Sequence, residues 1–119
     1  MSIVAVSIAP SGIEGSSLSS WVAAAERVIR EDGRVTYRLD PMFTTMQGEL
    51  RVCFEIIEKM HEELFKLGAP RVGTVIKIDD RRDKVVDMDD KVSSVEEKLR
   101  SIAVGYLTAE VPAWRRTLL

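Results

Sequence analysis

Cysteine is almost missing from this sequence. Cys53 is the only one, so no disulfide can form within the chain, and a reducing compartment, the cytoplasm, is the expected setting. Histidine is equally scarce: His61 stands alone on a helical stretch beside Glu58, Glu62 and Glu63, and is read as a solvent-facing helical residue, since one imidazole among glutamates does not make a metal site. Long apolar runs are lacking as well. The stretch 3–9 is too short for a membrane span or a signal core and has no basic residues before it. Nor is there an excess of positive charge. The chain carries 17 basic and 19 acidic residues, intermixed, for a net charge of -2, which excludes the broad cationic surface that a nucleic acid backbone requires. Spacings for a dinucleotide fingerprint, a phosphate loop, a paired-cysteine motif, a zinc-protease helix or a nucleophile elbow do not occur, so neither a catalytic role nor a cofactor is expected.

What remains is enough for one globular domain. At 119 residues, with 45% hydrophobic and 30% charged side chains, the chain supports a single core and a solvated surface. Residues 3–9 alternate Val4, Val6 and Ile8 against Ala5, Ser7 and Ala9, the period of a strand. After the break at Pro10-Ser11-Gly12, Ser16 or Ser17 is placed to cap a helix. In that helix Leu18, Trp21, Val22, Ala25, Val28 and Ile29 form one stripe, and Asp32-Gly33 ends it. Two β-prone runs, 35–39 and 42–47, flank the turn dipeptide Asp40-Pro41. A second helix carries Leu50, Cys53, Ile57, Met60, Leu64 and Leu67 at three- and four-residue steps, closed by Gly68 and Pro70. Residues 72–78 read as a fourth strand. A third helix is expected at about 94–103, with Ser93 and Glu96 spaced as a capping box.

The order β-α-β-β-α-β predicts an α+β, ferredoxin-like sandwich, in which a four-stranded antiparallel sheet carries two helices on one face, with a C-terminal helix added. The expected domain spans 1–103. The remainder, 104–119, holds Tyr106, Leu107, Trp114, Leu118 and Leu119, too apolar for a free tail, and is expected to pack on its own or a neighbouring subunit. A small sheet with uncovered surface and two edge strands also predicts self-association, at least to a dimer.

Several segments together resemble the family of small thiamine-binding proteins, related to the YkoF-like proteins. They are the start Ile3 to Pro10 with Gly12, the stretch Asp40 to Glu49, the stretch Gly68 to Arg71, the strand Thr74 to Asp79 with Arg81 and Asp83, and the late Asp90-Lys91-Val92. The resemblance implies a ferredoxin-like fold, dimers or tetramers, and non-catalytic binding of thiamine, its hydroxymethylpyrimidine moiety or a related aminopyrimidine. Where the family strand usually ends in an acid before glycine, this chain has Gln47-Gly48, a neutral amide.

The residues expected to bind ligand are Ser7, Thr44, Thr45 and Gln47 as polar strand positions, Gly48 at a strand-to-helix junction, and Phe43 and Phe54 as ring-stacking neighbours. Trp21 and Phe65 are read as core, as is Cys53, which has no base beside it to make it a nucleophile. Arg81 and Asp83 are read as a surface ion pair. The alternative reading is a structural or regulatory interaction module without a small-molecule ligand.

Overall fold

A computed structural model describes residues 1–108, with side chains through Ile102. Its elements run β1 (Ser2–Ser11), α1 (Ser19–Asp32), β2 (Thr36–Leu39), β3 (Thr44–Gly48), α2 (Leu50–Lys66), β4 (Arg71–Asp80) and α3 (Met88–Thr108). The chain divides into two compact units, Met1–Val85 and Val86–Leu119.

In the first unit the sheet order is β2-β3-β1-β4 and every pairing is antiparallel, the ferredoxin-like arrangement expected from the element order. Alternation along β1 sends Val4 and Val6 toward α1 and α2, where both are buried. Register puts Met46 of β3 opposite Val4, and it is buried on the same face. From the helices Ala25, Ile29, Cys53, Ile56, Ile57 and Met60 complete this core. Removing such side chains from a close-packed interior costs about 2–5 kcal/mol each, so this layer fixes how α1 sits over β1 and β3.

Both helix ends of this unit follow the sequence. Gly33 and Gly68 adopt φ of 74° and 104°, left-handed values that a side chain resists, and each closes its helix there. The start of α1 differs from expectation. Neither Ser16 nor Ser17 caps α1; the helix begins at Ser19 behind Leu18, with no side-chain cap bond. Leu67, read as the end of the α2 stripe, is the C-cap residue and is exposed, and Phe65 is exposed rather than core, because the buried face of α2 ends at Leu64.

The second unit begins earlier than its apolar spacing implies. Helix α3 starts at Met88 rather than near Ser94 because Asp87 and Asp90 cap it reciprocally. Asp90 N–H donates to Asp87 Oδ1 at 2.8 Å, and Asp87 N–H donates to Asp90 Oδ2 at 3.2 Å. The packing expected for residues 104–119 concerns side chains outside those described.

Candidate functional site

Antiparallel pairing brings β3 beside β1 with Thr44 opposite Val6, so Thr44 faces the helix layer and is buried. Above it lies α1. Glu26 occupies the helix position between buried Ala25 and Ile29, and its carboxyl reaches the β3 seam, where Thr44 Oγ1 donates a hydrogen bond to Oε1. The second oxygen, Oε2, is buried and has no hydrogen-bond partner among the described residues. A carboxyl oxygen kept from water without a donor costs about 1–3 kcal/mol, so the fold carries this group at an energetic loss.

Beside this pair opens a cleft of about 900 Å³, bounded by α1, β1 and the β2–β3 turn. Its walls are mainly apolar: Val6 and Ile8 from β1, Leu18 and Val22 from α1, and Tyr37 and Phe43 from the β2–β3 hairpin. Polar groups are fewer and include Glu26, Thr44 and Asp40, with Arg27 and Arg30 on the helix side. Asp40 N–H donates to the Phe43 carbonyl at 2.9 Å, closing the turn that carries Phe43. An apolar cleft with a few convergent polar atoms is the usual form of a small-molecule site.

Of the residues expected from sequence, Phe43 and Thr44 line this cleft. Ser7 also borders it, but pleat alternation between Val6 and Ile8 turns its side chain to the opposite sheet face. Thr45 and Gln47 point to that opposite face, paired in register with Ala5 and Ile3, and do not line the cleft. Thr45 Oγ1 donates to Asp40 Oδ2 at 3.5 Å, a long contact. Gly48 is buried, and a Cβ there would lie 2.8 Å from Val35 Cγ1, so close packing against the residue that leads into β2 accounts for the glycine. Phe54 is exposed on α2, away from the cleft.

Sequence reasoning missed Glu26. Its signal was a charged residue at the fourth position after Val22 and the third before Ile29, inside the apolar stripe of α1.

The other singled-out residues are accounted for structurally. Cys53 is fully buried, and burial pushes its thiol up from the ordinary range. His61, expected to face solvent, is half-buried and shares a hydrogen bond with Thr74 of β4. Arg81 and Asp83 form an exposed pair at 2.6 Å. A second depression, about 840 Å³, lies between α1 and α2 and is lined by Val28 and by charged residues; there Arg34 and Lys59 both bond Asp32, and Arg34 also bonds Glu55. Among the described residues no three potential metal ligands cluster, and no helix is long and apolar enough to cross a membrane.

Comparison with known proteins adds a family to this geometry. A family profile described as thiamine-binding protein matches residues 4–96. A UPF0045 protein of Bacillus subtilis, YqgV, is 40% identical over 92 residues, covering 75% of this chain and 88% of the relative. A solved domain of unknown function (DUF77) from Bacillus cereus superposes with a TM-score of 0.68 at 31% identity, covering 76% of this chain and 86% of that one. The same fold occurs, at 22% identity and a TM-score of 0.66, in a Thermotoga maritima protein whose assignment to thiamine biosynthesis or salvage is itself provisional; the match covers 79% of this chain and 97% of that one.

Proposed function

The chain belongs to the thiamine-binding protein family, and from that premise we propose that it is a non-catalytic binding protein for thiamine or its hydroxymethylpyrimidine moiety, held in the cleft between α1 and the β2–β3 turn. The observation that carries this reading is the cleft itself. At about 900 Å³ it falls within the range of ligand sites, and it presents the Tyr37 and Phe43 rings alongside the Thr44 and Glu26 polar groups. An aminopyrimidine needs that combination: ring faces to stack on, and acceptors for its amine.

The same reading holds that the protein works in the cytoplasm as a dimer or tetramer. A single buried free cysteine suits a reducing compartment, and the ten-residue edge strand β4, with Val75 exposed on it, suits self-association.

Calorimetric titration with thiamine and with hydroxymethylpyrimidine tests the ligand and its place. Saturable micromolar binding that Phe43→Ala weakens about tenfold, the loss of one aromatic contact, supports the cleft. Binding weakened instead by Thr45→Ala and Gln47→Ala puts the ligand on the opposite sheet face. Absence of heat for both compounds overturns the reading and favours an interaction module.

A further inference from the structure

We propose that Glu26 is the residue that sets ligand specificity, selecting compounds that present an exocyclic amine and rejecting their carbonyl counterparts; this rests on the cleft being the ligand site. The argument starts from an imbalance. Thr44 satisfies Oε1 of Glu26, while Oε2 is buried with no partner among the described residues, on an acid that α1 sends to the cleft wall beside Tyr37 and Phe43. Buried polar atoms in folded proteins are nearly always paired, and an exception at the edge of a cleft marks a bond that a ligand completes.

The chemistry of the missing partner follows from the group. A carboxylate only accepts hydrogen bonds, so the ligand atom that meets it must be a donor. An aminopyrimidine amine donates; the carbonyl that replaces it in an oxo analogue is an acceptor and would leave two lone pairs facing one another. Access to Oε2 requires only a turn of the carboxyl about its last torsion, which is broad and roughly two-fold in glutamate. That turn moves Oε1 as well, so it exchanges the Thr44 bond for one to the ligand amine while the acceptor stays on the cleft lining.

A site built to bond one polar group discriminates strongly against an analogue lacking it, because both partners are left unpaired. Gln47, the neutral residue at the end of β3, has its side chain on the other sheet face and cannot supply this selection. Among the described residues that line the cleft, Glu26 is the only acid on the helix side, and Asp40 sits across it in the β2–β3 turn.

The test compares hydroxymethylpyrimidine with its oxo analogue on the full chain by calorimetry, for the unaltered protein and for Glu26→Gln. The expected result is a preference for the amine of about 100-fold, falling below about 10-fold in Glu26→Gln, whose amide both donates and accepts. Equal affinity of the unaltered protein for the two compounds overturns the proposal without any variant. So does a preference that survives Glu26→Gln, and in both cases binding in the cleft still stands. Failure of both compounds to bind removes the functional reading and this proposal together.

Discussion

Thr44 on β3 donates its hydroxyl to Glu26 on α1, and the other carboxyl oxygen of Glu26 is buried and unmatched among the described residues. A polar pair of this kind is a poor stabiliser, since replacing both partners with apolar groups of similar shape is commonly neutral or favourable. The double variant Glu26→Met, Thr44→Val is expected to raise unfolding free energy by about 1–2 kcal/mol in urea titration while abolishing ligand binding. A less stable double variant would show that the pair serves the fold and not the site.

Asp32 gives the fold a defined acid sensitivity. It is the last residue of α1, where the helix dipole disfavours a negative charge, yet only 3% of its side chain is exposed and it bonds Arg34 at 2.7 Å and Lys59 at 2.8 Å. Arg34 first, then Lys59, hold its carboxyl well below the usual carboxylate range. The unfolded chain therefore binds this proton more readily than the folded one. The stabilisation is whole above the unfolded value of about 3.9 and is lost as pH falls below it. Asp32→Asn is expected to cost about 1–2 kcal/mol near neutral pH, with the gap to the unaltered protein closing as the solution is acidified. A gap that stays constant across that range in chemical denaturation would remove the ion pairs as its cause.

Gly48 offers a prediction in which a methyl group is the whole perturbation. A Cβ there would approach Val35 Cγ1 to 2.8 Å, and the β-branched Val35 has few rotamers with which to yield. Gly48→Ala is expected to cost about 1–3 kcal/mol by overpacking. Adding Val35→Ala opens the space, so the double variant is expected to lose less than the sum of the two single changes. Strict additivity in a double-mutant cycle would mean that the glycine answers to something other than this contact.

The framework of the fold was legible because its signals are periodic. Val4 and Val6 alternate, and Cys53, Ile57, Met60 and Leu64 recur by helical turns; all six are buried where those periods place them. The site was legible only in part, for a physical reason. In a strand, a shift of one residue exchanges the two faces, and the run Thr44-Thr45 offers the same side chain to both. Pairing with β1 decides that Thr44 meets the cleft and Thr45 does not. Glu26 was hidden more thoroughly. On its own helix it reads as one more charged residue next to Arg27, and its role depends on Thr44, 18 residues away, arriving beneath it. The start of α3 is hidden for a simpler reason: the spacing of a capping box points to Ser93 and Glu96, while an aspartate pair six residues earlier closes the same reciprocal bonds.

That aspartate pair yields a local prediction. Asp87 accepts from the Asp90 amide at 2.8 Å, one of the helix N–H groups with no partner inside the helix. Loss of an N-terminal cap typically costs about 1 kcal/mol, and Asp87→Ala is expected to impose that cost on the first turn of α3. The effect belongs to the α3 unit, so hydrogen exchange at the Asp90 amide is the appropriate measurement. It is expected to speed up about fivefold, the equivalent of about 1 kcal/mol, while the amides of Val4 and Val6 in the sheet core keep their rates. Acceleration of both sets together would mean that the cap supports the whole chain, and no acceleration at Asp90 would mean that solvent replaces the aspartate without loss.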